Sequence, residues 1–164
     1  MTTEPQPIVQ PSAELLTAGP NSVRILTGAL TGAPIGAIEY HVAPGFSPPA
    51  ILHRHTREDA GWFLLEGELD FSFDDGRTER VATGGSVTHP RNCWFRWSNP
   101  HQTRGARAIC WFSPAGFEQF FVDVAAAANA HFADGGTIDT FTPMLIELRA
   151  AYGDEPHPGS EATR

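Results

Sequence analysis

The chain has 164 residues, one domain's worth, long enough to bury a sizeable core. A formal net charge of −8 argues against nucleic acid as a partner. All eleven basic residues are arginine, so chemistry through a lysine Schiff base, including that of pyridoxal phosphate, is excluded for this chain. No apolar stretch approaches the length of a membrane span. The N-terminal residues lack a charged segment followed by an apolar one, so no secretory signal is expected and a cytoplasmic location is. Cys93 and Cys110 lack metal-type spacing and are expected to be buried thiols and not a disulfide.

In chain order, residues 1–20 are proline-rich and are predicted to form an arm on the surface or on a partner subunit. Strand-like stretches follow at 22–27, 35–42, 61–66, 68–74, 79–82, 86–89, 93–99 and 106–113. In the second of these, Ile38, Tyr40 and Val42 share one face and Glu39 and His41 the other; alternation leaves open which face is inward. Turns at Gly67, Asp74-Asp75-Gly76, Gly84-Gly85, Pro90-Arg91-Asn92 and Asn99-Pro100 separate short strands, the signature of an all-β sandwich or barrel. No repeat is visible, so a single barrel over 21–113 is expected.

Helical periodicity begins after Ser113-Pro114, with Ser113 as the expected cap and Phe117, Phe120, Phe121 and Val124 on one face. A second helix is predicted from Thr142-Pro143 to Gly153, completing a helical appendage over 114–153. Residues 154–164 are predicted to be a disordered tail. No helix-turn-helix region precedes the barrel, which counts against a transcription-factor sensor.

The stretch with chemical content is 43–71. Pro44-Gly45 leads to His53-Arg54-His55, then to an apolar strand ending in Leu65-Glu66-Gly67-Glu68. Residues two apart on a strand share a face, so the two imidazoles project together, as half of a metal site or as an acid–base pair. This order and spacing resembles the first motif of the cupin superfamily. The resemblance implies an antiparallel jelly-roll barrel with the histidines facing inward, to which the two predicted C-terminal helices are added; a homodimer is expected, from the surface that the arm and helices offer and from the resemblance. The fold alone implies no particular activity.

Against that pattern two metal-ligand positions are replaced. The expected glutamate falls at Ala60, and the second-motif histidine falls at Phe95 between Pro90 and Asn99. Asn92 stands where the motif has glycine and keeps the left-handed turn accessible. A third metal donor would have to be Asp59, one residue off the motif, or Glu39, His41, His89 or His101. No cofactor is therefore expected, the alternative being one divalent Fe, Mn, Ni or Zn ion held by His53, His55 and Asp59. If Ala60 and Phe95 point inward, so do Trp62, Leu64 and Trp97. The expected site has His53 and His55 as catalytic groups on the floor of a pocket lined by Tyr40, Trp62, Leu64, Phe95 and Trp97. The competing expectation is that these aromatics fill a small barrel and leave no cavity.

Three functions are open on this basis. The first is metal-independent acid–base chemistry (isomerisation, cyclisation or dehydration) on an apolar or aromatic, natural-product-like small molecule. The second is a metal-dependent, quercetinase-like dioxygenase. The third is a small-molecule binding module without catalysis.

Overall fold

The computed structural model describes residues 7, 9–10, 12–48 and 52–159. Eleven strands and two helices follow one another: β1 (Leu15–Ala18), β2 (Asn21–Thr27), β3 (Gly36–Val42), β4 (His53–His55), β5 (Asp59–Glu66), β6 (Glu68–Phe73), β7 (Thr78–Ala82), β8 (Ser86–His89), β9 (Phe95–Ser98), β10 (Ala106–Ser113), α1 (Glu118–Ala133), α2 (Ile138–Ala151) and β11 (Asp154–Pro156). They build two antiparallel sheets, ordered β1-β2-β3-β10-β5-β8 and β11-β4-β9-β6-β7. The sheets face each other as a jelly roll with helices appended at the C-terminal end. None of the helices is long and apolar enough to cross a membrane among the described residues.

Alternation sets the faces. On β10 the buried positions are Ala106, Ala108, Cys110 and Phe112. The small Ala108 lies in register between Tyr40 on β3 and Leu64 on β5, which gives the barrel width for the large rings beside it. Ile38, Tyr40 and Val42 face inward and are buried, which settles the orientation of β3. Glu39 and His41 take the outer face, where Arg24 and Arg107 hold the Glu39 carboxylate at 2.6 and 2.9 Å. Gly67 closes the β5–β6 turn at φ 75°, and a Cβ there would sit 2.8 Å from the Gly105 carbonyl oxygen.

Four expectations about boundaries are corrected. Residues 15–18 are no arm: a turn at Gly19-Pro20 (Gly19 φ 60°) pairs Leu15 with Arg24 and Ala18 with Asn21 as a hairpin. The rest of the expected arm lies mostly outside the described residues. Ser113 caps nothing, because it is still paired to Asp59 at the end of β10. Instead α1 starts at Glu118, whose buried carboxylate accepts from the backbone N–H of Ala29 at 2.6 Å and of Gly116 at 2.8 Å. Gly28 and Gly36 leave the space that carboxylate fills, since a Cβ at either would lie within 2.2 Å of it. The second helix begins one turn before Thr142-Pro143: Thr137 accepts from Thr140 N–H, and Pro143 sits inside α2. Finally, the predicted tail contains β11, which pairs Asp154 with His55 and Pro156 with His53 along the edge of β4. Residues 160–164 lie outside the described residues.

Candidate functional site

The strand β4 presents His53 and His55 inward, 6% and 7% exposed, with ring centroids 5.8 Å apart. Its neighbours hold it in place. On one side β11 runs along it, tied further by the Thr56 N–H and hydroxyl donating to the Gly153 carbonyl. On the other, β9 pairs Phe95 with His53. The β8–β9 turn docks on the end of the strand: Asn92, left-handed at φ 68° as its place in the motif suggests, donates its N–H to the His55 carbonyl at 2.7 Å.

Around the imidazoles stands a shell of phenyl rings. Phe95 lies 4.4 Å from His53 by ring centroids, and Phe117, from the start of α1, lies 4.3 Å from His55. Phe112 closes a further side of His55 at 6.3 Å. The helical segment that looked like a simple covering element therefore contributes directly to the wall. Phe120 and Phe121 pack behind Phe117 at 5.1 and 5.9 Å.

Three ionisable groups join the histidines at this end. The chain bends at Thr56 and Arg57, which turns the buried Glu58 back onto His55 with Oε1 2.5 Å from Nδ1. Asp154 is 4% exposed and accepts from Arg149 at 2.7 and 3.0 Å. Burial by itself raises its carboxyl pKa, but His53, Arg149 and His55 outweigh burial and hold it below the usual range. His89 is 3% exposed and stacks on Phe95 at 3.8 Å, directly across the ladder from Ala60. Burial first, then the fields of His55 and His53, push its pKa down to about 3.

The rest of the expected pocket is arranged differently. Phe95 touches the histidine pair, as anticipated. Trp62 and Trp97 do not stand around an opening; they pack on each other at 4.9 Å and on Tyr40 at 5.9 and 5.6 Å. Phe71 and Phe46 complete that cluster. Leu64 is fully buried. These four expected lining residues form a core layer next to the histidines, because a barrel this narrow closes when indole and phenol rings meet across it. Burial also raises the Tyr40 hydroxyl pKa well beyond its ordinary value.

The donors around the pair do not suit the metal that this kind of motif usually holds. Ala60 and Phe95 have no donor atom. Asp59 faces outward, where Arg91 donates to it from its backbone at 2.9 Å and its side chain at 3.1 Å. Glu58 is engaged on Nδ1 of His55, and Phe95 stands between His53 and His89. Glu39 and His41 lie outside the barrel, and His101 sits beside Arg104 and Glu68. Among the described residues no three His, Cys, Asp or Glu side chains converge as a metal site would require.

Glu58 escaped the sequence because a regular strand from His55 would not return it to that imidazole. Its only signal was the charged, strand-breaking segment Thr56–Asp59. Asp154 gave no signal, being placed by a long-range strand pairing.

A family model described as "Cupin domain" matches residues 38–112, which spans β3 to β10 and both motifs. No curated protein matches the sequence. Among solved structures, ectoine synthase from P. lautus is 14% identical, with 92% of this chain and 88% of that one covered and a TM-score of 0.54. Streptomyces PAC13 with uridine is 13% identical over 73% and 88% of the two chains, TM-score 0.50. KdgF from Halomonas sp. is 15% identical over 65% and 90%, TM-score 0.50. At such identities the likeness is one of fold. With the motif order, the double-sheet barrel and the family match together, residues 38–112 are a cupin domain.

Proposed function

We propose that the protein is a small-molecule enzyme that uses His55, oriented by Glu58, as a metal-independent acid–base group. The observation that carries this is the buried 2.5 Å contact between Glu58 Oε1 and His55 Nδ1. A carboxylate accepts only, so Nδ1 carries the proton and Nε2 keeps its lone pair. That is the arrangement in which a third group holds a catalytic imidazole in one tautomer and stabilises the imidazolium that forms. His53, on the same face, is the second proton-carrying group. Nε2 takes a proton from one substrate atom and the pair returns it to another, which is all that an isomerisation, cyclisation or dehydration requires. The phenyl rings of Phe95, Phe112 and Phe117 favour a substrate whose reacting carbon lies in an apolar body. Ectoine synthase and uridine-bound PAC13 place small-molecule chemistry and binding on the same fold, which supports the class but not the substrate.

The test is a metabolite panel read by mass spectrometry, with and without a strong chelator. Turnover should survive chelation and fall by roughly 10²–10⁴-fold in His55→Ala. Glu58→Gln should lower the rate, and ¹⁵N NMR should show the His55 tautomer no longer fixed. Turnover that vanishes with chelator, or that is untouched in both variants, would overturn the proposal.

A further inference from the structure

The outer face of the six-stranded sheet is apolar at its centre. The two strands there, β10 and β5, carry apolar residues on both sides: Ala108, Cys110, Trp62 and Leu64 point inward, and Ile109, Trp111 and Phe63 point outward. An antiparallel sheet with one face in water normally alternates apolar with polar residues, so this seam departs from the rule. Phe63 is 45% exposed. The Trp111 indole lies flat across Gly61, where a Cβ would come within 2.5 Å of it. Ala37 on β3 and Thr88 on β8 flank that indole, and Ser86 flanks Phe63, all of them small. Among the described residues neither helix covers this face: α1 lies on the inner side, with Phe121 against Tyr40, and α2 packs on α1 and β11.

The charges around this patch cancel. The charged residues of the six strands are Arg24, Glu39, Asp59, Glu66 and Arg107, and Arg91 pairs with Asp59. Three cations therefore meet three anions, on a chain whose net charge is −8. An identical copy approaching this face meets none of the repulsion that the excess of acid imposes elsewhere. The register supplies the complementarity. Across the seam Ile109 stands beside Phe63, Trp111 beside Gly61, and Arg107 beside Glu66, to which it donates at 2.6 Å. A two-fold axis lying along the seam exchanges β5 with β10. It sets Phe63 of one copy against Ile109 of the other, and Arg107 against Glu66. A guanidinium has five donors, so Arg107 has donors enough for Glu66 of both copies.

We infer that this face is the contact between two copies of the chain, an isologous dimer about an axis along the β5–β10 seam. Each in-register pair is its own complement about that axis, apolar against apolar and cation against anion. Sheets packed face to face keep their strand directions within about 30° of each other, which such an axis allows. The homodimer contact then lies on the sheet, and not on the arm or the helices. The inference is independent of the acid–base chemistry proposed for His55, because β4 belongs to the other sheet.

The experiment is sedimentation velocity on the full chain across micromolar concentrations, with circular dichroism to check the fold of each variant. The wild type should sediment as a dimer. Phe63→Glu places a charge in the middle of the contact and should give a monomer with an unchanged spectrum. Glu66→Arg sets arginine against arginine and should raise the dimer Kd about tenfold or more. That side chain is 65% exposed, so this variant decides the matter if Phe63→Glu does not fold. Ile146→Glu, the same kind of change at an exposed position of α2, should leave the dimer intact. A monomeric wild type, a dimer that survives both Phe63→Glu and Glu66→Arg, or a dimer lost in Ile146→Glu would each overturn the inference.

Discussion

The barrel interior has two layers built on opposite principles. In one, Tyr40, Trp62, Phe71 and Trp97 meet ring to ring, and only the Tyr40 hydroxyl and the indole N–H groups interrupt an apolar core with Leu64 and Ile38. In the other, His53, His55, Glu58, His89 and Asp154 are buried among Phe95, Phe112 and Phe117. The first layer lowers the free energy of folding by removing large rings from water. The second raises it wherever an ionisable group is desolvated, and the Glu58–His55 and Arg149–Asp154 pairs offset part of this. A barrel that needed only to fold would fill both layers alike. The asymmetry is what the acid–base role proposed for His55 requires.

The largest effect should come from the aromatic layer. Trp62→Ala removes a 7%-exposed indole from the middle of that cluster and should destabilise the protein by about 3–5 kcal/mol, as large-to-small core changes do. Glu58→Gln keeps the shape and one hydrogen bond and removes the charge, so it should cost only about 1–2 kcal/mol. Chemical denaturation of both variants checks the order. If Glu58→Gln were the more damaging, the polar layer would be a stability element and the division drawn above would be wrong.

Next comes acid. The ordinary pKa of His89 is 6.5, and the folded value is pushed down to about 3. Between these values the unfolded chain binds the proton and the folded one does not. Stability from this group is therefore complete above 6.5 and declines as the pH falls towards 3, by about 1.4 kcal/mol per unit. From pH 7 to pH 5 the loss should be about 2 kcal/mol. His89→Phe, which retains a ring against Phe95, should remove that slope. Asp154 acts in a separate window. Its carboxyl is held below 3.8, so its contribution is present above that value and is lost as the pH falls through the folded one. A stability curve equally steep from pH 7 to pH 5 with and without His89 would show that the imidazole is not kept neutral.

The same two layers explain what could be read in advance. Strand alternation and turn residues gave the strands from β2 to β10 apart from the three-residue β4, because period-2 burial and left-handed turns are local properties. That His53 and His55 share a face followed from the same rule, and that this face is inward followed from the family resemblance. Glu58 was hidden because a two-residue bend, and not a strand, decides where its carboxylate goes. Asp154 was hidden because only the docking of β11 on β4 brings it to the site. Trp62 and Trp97 were correctly turned inward but wrongly given an open wall. Whether inward rings meet across a barrel depends on the width between sheets, and no single strand encodes that.

The smallest expected effect is that of added metal, and it tests how the polar layer differs from its relatives. Two imidazoles without a third protein donor bind a divalent ion weakly. Micromolar Ni²⁺ or Zn²⁺ should therefore leave the melting temperature of the wild-type chain essentially unmoved, because stabilisation by a ligand requires its concentration to exceed Kd. Ala60 and Phe95 face this layer, Phe95 in register with His53 and Ala60 across from His89. Ala60→Glu and Phe95→His together put donors at both motif positions that lack them. The double variant should bind one ion per chain and gain about 2.7 kcal/mol at a hundredfold excess over Kd. Calorimetric titration of both proteins decides the matter. One tightly bound ion on the wild type, lost in His53→Ala, would mean that a donor moves in to complete the set. The Glu58 carboxylate would then be a metal ligand and not the partner that orients His55.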